Sequence, residues 1–139
     1  EVENDEIENI LKNRIVCQGE KVAIIAVGPM LEMALAVRKN LREKLNKDIT
    51  VINALNVSDL DYDTLDSLKK DHQVIMTLED GQLQGGYGVN VASYFANSNI
   101  KVLNYGITKK FHTDFKAEEL LAACGMSIPK LVNDVKNYL

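Results

Sequence analysis

Apolar positions along the chain change their spacing several times, and each change marks an element. Arg14 to Gln18 and Lys21 to Val27 are β-rich runs, and the Gly19-Glu20 pair between them suits a two-residue hairpin. That spacing predicts one antiparallel strand pair. Gly28-Pro29 then punctuates the chain, and Pro29 suits the first turn of a helix, where its missing N–H costs nothing. Leu31, Ala34, Leu35, Leu41 and Leu45 mark one apolar face of that helix, with Arg38, Lys39, Arg42 and Glu43 largely on the others. Ile49 to Leu55 is the next β run. It follows the helix closely, the short return expected of a βαβ unit with a right-handed crossover.

Beyond it the pattern is less regular. Asp59 to Asp63 is turn-like, Leu65 to Lys70 suits a short helix, and Gln73 to Thr77 reads as a strand. A glycine-rich stretch leads into a helical segment from Val89 to about Ala96, then a strand from Lys101 to Tyr105. Glu118 to Ala123 is helical and stops at Gly125, a natural residue for the position after a helix end. Ser127 can cap a last helix whose positions Ile128, Leu131, Val132, Val135 and Leu139 form one apolar face. Five strands and about five helices in this order predict an α/β fold, a three-layer α/β/α domain. Its five-stranded sheet is mostly parallel with one antiparallel strand. The expected organisation is one domain over residues 1–139, with residues 1–13 contributing no clear element. The acidic opening Glu1-Val2-Glu3-Asn4-Asp5-Glu6 has little to bury, and with no initiating Met the chain reads as cut from something longer.

Charge narrows the choice of partners. With 16 Lys and Arg against 20 Asp and Glu, a formal net charge of -4, and no basic cluster larger than Lys109-Lys110, a nucleic-acid surface is not expected. The apolar stretch Val22 to Val27 is far below the roughly 20 residues needed to cross a bilayer. No basic segment followed by an apolar one opens the chain, so it reads as cytoplasmic in type. Cys17 and Cys124 lack neighbours at metal-ligand spacing and sit in apolar patterns, which predicts buried free thiols.

The chemistry-bearing candidates concentrate between Glu79 and Gly88. Strand, glycine loop and helix N-terminus in succession form the geometry that binds phosphates. The spacing of Gly85, Gly86 and Gly88 nonetheless fits neither the dinucleotide fingerprint, since Val91 falls at the third glycine position counted from Gly86, nor the lysine-ending phosphate loop. The favoured reading is that these glycines let the helix start close to neighbouring backbone, with anion binding second. Glu79, expected just past the end of a buried strand, stands on the edge where ligands collect in open α/β sheets. No His, Lys or Arg follows in the loop to complete a catalytic pair, so a carboxylate tied to a backbone turn or a partner subunit is the favoured reading. Glu79-Asp80 lacks further ligands for a metal. His72 and His112 read as solvated or hydrogen-bonded side chains. Tyr87 and Tyr94 read as packing residues, and Met30, Met33 and Met126 as gap-fillers. The residues themselves thus supply no catalytic, cofactor-binding or metal-binding set.

Three segments in register, Lys21-Val22-Ala23-Ile24-Ile25-Ala26-Val27-Gly28-Pro29-Met30, Met76-Thr77-Leu78-Glu79-Asp80 and Gly85-Gly86-Tyr87-Gly88, resemble the C-terminal domain of transketolase-like enzymes over roughly Ile15 to Leu139. The tail from Asn104-Tyr105-Gly106-Ile107 through Gly125-Met126 is most similar to the deoxyxylulose-phosphate synthases of that family. Transketolases and the β-subunits of 2-oxoacid dehydrogenases share most of the other features. The resemblance implies a three-domain homodimeric enzyme whose first two domains bind thiamine diphosphate and Mg. It implies a synthase reaction joining pyruvate-derived carbons to glyceraldehyde 3-phosphate with release of carbon dioxide, on the route to isoprenoids and thiamine. For this chain it implies packing against the other domains and support of the dimer, with Glu79, Gly85, Gly86 and Gly88 in structural or interface roles and no activity alone. The chain departs from the synthase pattern at Leu55, Ser58, Asp59 and Asp114. A stand-alone phosphate- or nucleotide-binding module and a purely structural dimerisation domain are the readings from other classes.

Overall fold

The computed structural model describes residues 13–55, 57–82, 86–108 and 116–139. Strand β2 (Lys21–Val27) holds Val22 to Ala26 fully buried in succession. Because alternate side chains leave a strand on opposite sides, such a run is stable only with apolar cover on both faces. The sheet supplies this arrangement. Its order is β1 (Arg14–Cys17), β3 (Thr50–Ala54), β2, β4 (His72–Gln82) and β5 (Lys101–Ile107). The four strands β2 to β5 run parallel, and β1 runs antiparallel to β3.

One face packs Val22, Ile24, Val51 and Met76 against Ala34, Val37 and Leu41 of helix α1 (Leu31–Leu45) and Leu131, Val132 and Val135 of helix α5 (Ile128–Lys136). The other packs Ala23, Ile25, Ile52 and Ile75 against Leu65 of helix α2 (Tyr62–Ser67), Leu68, and Tyr87 and Val91 of helix α3 (Tyr87–Tyr94). Three layers result. Each fully buried Leu or Ile in them is worth about 1.5–3 kcal/mol of transfer free energy. Helix α4 (Ala117–Ala123) lays Leu121 against the first face. No described helix is long and apolar enough to cross a membrane.

Local signals set the helix ends. Gly28, at φ 57°, turns the chain out of β2, and Pro29 opens a 3₁₀ turn that runs into α1. Asn46 closes α1 in the left-handed conformation and donates its N–H to the Arg42 carbonyl. Ser127 Oγ accepts from Lys130 N at the start of α5, and Gly125, at φ 84°, ends α4. The short helix expected at Leu65 to Lys70 begins earlier, at Tyr62, where the Asp61 carboxylate caps Thr64 N, and its last three residues tighten into a 3₁₀ turn. The cysteines are free as expected, but both are half-buried. Cys17 lies on an edge strand, which leaves one side open.

The antiparallel strand is present, yet its partner differs from the hairpin expected at Gly19-Glu20. β1 pairs with β3, which lies between β1 and β2. Two facts explain the exchange. β3 is almost entirely buried and needs a ladder on each side, whereas β1 is short and largely exposed, which suits an edge. Gly19 also lacks the positive φ that a tight hairpin turn requires; Lys21 adopts the left-handed conformation instead, at φ 69°. The link from Gln18 to Glu20 therefore crosses the amino end of β3, spanning two strand spacings, roughly 10 Å. Gly19 passes so close that a Cβ would stand 2.4 Å from the Asp48 carbonyl oxygen.

Side chains lock this crossing. Thr50 Oγ1 accepts from Gly19 N at 2.9 Å, and the buried His72 ring lies between Thr50 Oγ1 (2.8 Å) and Asp71 Oδ1 (2.6 Å). Lys21 N donates to the Asp71 carbonyl at 2.9 Å, so the amino ends of β2, β3 and β4 are joined through one set of hydrogen bonds. Gly19→Ala is expected to cost about 1–3 kcal/mol in urea unfolding, because the new methyl meets rigid backbone. Gly81→Ala, where a Cβ meets nothing within 4 Å, is expected to change stability by less than about 0.5 kcal/mol.

Candidate functional site

The carboxyl edge of the sheet is shaped by an irregularity in β4. Leu78 pairs with Tyr105 and Gln82 with Ile107, so four steps of β4 stand against two of β5. The surplus residues bulge out of the ladder. Glu79 is in this bulge, still inside β4 and 6% exposed, one strand segment earlier than its expected place beyond the strand end. The bulge turns its carboxylate to the first turn of α3, where Oε2 accepts from Gly88 N at 2.7 Å and Oε1 from Tyr87 N at 3.3 Å.

This contact explains how α3 starts. Gly86 is its N-cap and has no side chain to satisfy the orphan amides, so the carboxylate of a neighbouring strand does so. The helix dipole places roughly half a positive charge at that end, where the two amides point at the carboxylate. Gly88 makes the approach geometrically open. A Cβ there would lie 2.4 Å from Thr77 Oγ1 and 2.7 Å from Asn104 Oδ1, which are themselves hydrogen-bonded at 2.7 Å. The close neighbours of the helix start are thus polar side chains on β4 and β5, where the sequence suggested backbone.

A second group of polar contacts adjoins the first. Tyr87 is buried, and its hydroxyl accepts from Asn13 Nδ2 at 3.1 Å, while Asn13 N donates to Asp61 Oδ2 at 2.9 Å. Asp61 Oδ2 also accepts from the Thr64 hydroxyl at 2.8 Å. Burial raises the Tyr87 phenol above its ordinary pKa, the Asn13 hydrogen bond opposes this, and the Asp61 and Glu79 carboxylates add to the rise. At the far end of α3 the Tyr94 hydroxyl donates to Asp66, and that bond raises the Tyr94 pKa and lowers that of Asp66.

Of the residues singled out in the sequence, Glu79, Gly86 and Gly88 come together here; Gly85 and His112 lie outside the described residues. His72 is at the opposite edge. Asn13, Asp61, Thr77 and Asn104 carried no recognised signal, although Asp61 and Thr64 have the spacing of a capping pair. Chemically, the seat that a helix N-terminus offers an anion is filled by the chain's own carboxylate. A diphosphate would meet that negative charge. Among the described residues no three His, Cys, Asp or Glu side chains gather as a metal site. These groups do not fit thiamine diphosphate and its metal.

Residues 11–131 match the model of the family described as transketolase, C-terminal domain. The chain belongs to this family. Among curated relatives, the 1-deoxy-D-xylulose-5-phosphate synthase of Clostridium tetani is 37% identical over 121 residues, covering 86% of this chain and 19% of that protein. The Thermotoga petrophila synthase is 32% identical over 144 residues, covering 96% and 22%. The chain therefore spans about a fifth of the length of these relatives. A solved split-gene transketolase, described as an inactive β4 tetramer, superposes with a TM-score of 0.80 at 23% identity, covering 92% of this chain and 42% of that one. A Pichia stipitis transketolase variant gives 0.64 at 16%, covering 92% and 18%. These structures share the mixed five-stranded α/β fold of the transketolase C-terminal domain, which comes from thiamine-diphosphate enzymes.

Removing the Glu79 carboxylate orphans two buried amides. Glu79→Ala is expected to lose about 1–3 kcal/mol in urea unfolding, and Glu79→Gln, which keeps one acceptor oxygen, less. The tyrosines give an alkaline signature. Because Tyr87 and Tyr94 hold their protons above their ordinary value, the unfolded state loses protons first as pH rises past about 10. Their contribution is fully present below that pH and lost as pH climbs through the folded values. Ultraviolet difference titration should show these two phenols ionising later in the native chain than in the urea-unfolded one.

Proposed function

We propose that the chain is the C-terminal domain of a 1-deoxy-D-xylulose-5-phosphate synthase. In this reading it joins the cofactor-bearing domains of the same polypeptide and a second subunit, supports their packing, and has no activity alone. The observation that carries the proposal is the match of 86–96% of the chain to synthases about five times its length. The Glu79 contact supports the non-catalytic part, since it gives the chain's most suggestive anion seat a structural occupant. The same contact weighs against a stand-alone phosphate-binding module.

In the proposed enzyme, thiamine diphosphate and Mg are held by the preceding domains, and the reaction joins pyruvate-derived carbons to glyceraldehyde 3-phosphate with loss of carbon dioxide. The test compares the full-length polypeptide with the isolated chain, each supplied with thiamine diphosphate, Mg, pyruvate and glyceraldehyde 3-phosphate. Carbon dioxide and deoxyxylulose 5-phosphate are expected from the full-length protein and from it alone. Turnover of ketose donors in place of pyruvate would assign a transketolase, and product from the isolated chain would overturn the support role.

A further inference from the structure

Exposed large apolar side chains are unevenly placed on this fold. Leu55 (39% exposed) follows the carboxyl end of β3, Tyr62 (55%) opens α2, and Val89 (41%) lies in the first turn of α3, with Val57 (46%) in the connection from β3 to α2. All four stand at the carboxyl edge, on the side of the sheet covered by α2 and α3. Ile15 (40%) and Val16 (41%) are exposed along the edge strand β1, and Leu45, the last residue of α1, is equally exposed at 41% but lies at the opposite edge. The Tyr62 ring also rests on that of Tyr94, with centroids 5.0 Å apart, and exposed apolar side chains gathered at one edge mark a contact with another protein body.

The path of the chain says which body. β1 is antiparallel, so it begins at the carboxyl edge, and Asn13 is pinned there between Asp61, next to Tyr62, and Tyr87, two residues before Val89. Arg14 pairs with Asn53, which sets Asn13 close to the end of β3 and Leu55. Asn13, the first described residue, is therefore fixed beside these apolar side chains. Tethering raises the local concentration of whatever is attached, most of all for surfaces beside the attachment point.

Resting on the proposed role as a C-terminal domain, we propose that Leu55, Val57, Tyr62 and Val89 around Asn13 form the docking face for the upstream part of the same enzyme polypeptide. The exposed carboxylates Asp59 and Asp63 border the cluster, so the complementary surface is apolar with basic residues at its rim. A competing face lies across the sheet, an apolar cleft of about 650 Å³ lined by Pro29, Met33, Ile107, Leu121 and Ile128. Among the described residues, Asn13 makes its hydrogen bonds on the other side of the sheet from this cleft.

Hydroxyl-radical footprinting of the full-length enzyme separates these faces, with Leu45 as an internal reference of the same residue type and nearly the same exposure as Leu55. Leu55 is expected to be oxidised about five-fold more slowly than Leu45, because the centre of an interface excludes water. The full-length double variant Val57→Asp with Val89→Asp should bring the two leucines within about two-fold of each other, since buried unpaired charge opens the contact. Equal labelling of Leu55 and Leu45 in an enzyme that makes deoxyxylulose phosphate would overturn the docking face and leave the proposed function standing. Selective protection of Ile128 would move the contact to the cleft and equally overturn it. A gene that encodes no upstream polypeptide would remove both readings together.

Discussion

The double burial of β2 and β4 governs most of what the chain does. Val22 to Ala26 and Val74 to Leu78 put side chains into two separate cores, so the sheet is stable only when helices close over each face. That demand explains why α1 and α5 gather on one side and α2 and α3 on the other. It also explains why β1 was displaced to an edge: a short strand with exposed side chains has nothing to offer a central position, while β3, buried on both faces, cannot do without one.

The carboxyl edge is built by a different means. A bulge in β4 and the absence of a side chain at Gly88 together bring the Glu79 carboxylate to the amides of α3. In α/β folds that bind phosphates, a ligand fills the corresponding position. Here the protein supplies the anion itself, which stabilises the helix start and removes the seat from use. The consequence is functional as well as structural, because the most ligand-like feature of the chain becomes part of its scaffold. Asn13, hydrogen-bonded to Tyr87 and Asp61, then fastens the start of β1 against the same helix.

The elements that could be read directly were those with local causes. Pro29 and Gly28 announced the start of α1, Gly125 and Ser127 the boundary between α4 and α5, and the apolar spacing of Leu131, Val132 and Val135 the buried face of α5. Four strands were placed within two residues, β4 runs five residues past its expected end at Thr77, and the mixed sheet followed from the alternation of strands with helices. Partner choice was the failure. Gly19-Glu20 has hairpin spacing, but the reason for the glycine is the Asp48 carbonyl 29 residues away, and no local pattern records it.

For the site, the sequence indicated Glu79, Gly86 and Gly88 by residue type and by likeness to a family, without saying what each one touches. It determined by itself the class of fold, the start of α1, the boundary between α4 and α5 and the resemblance to transketolase C-terminal domains, because propensity, capping and periodicity act over a few neighbours. Only the tertiary structure decided that β3 separates β1 from β2, that His72 is buried between Thr50 and Asp71, and that Glu79 caps α3. Those outcomes depend on groups brought together from distant parts of the chain, where sheet order and burial set the geometry and sequence spacing does not.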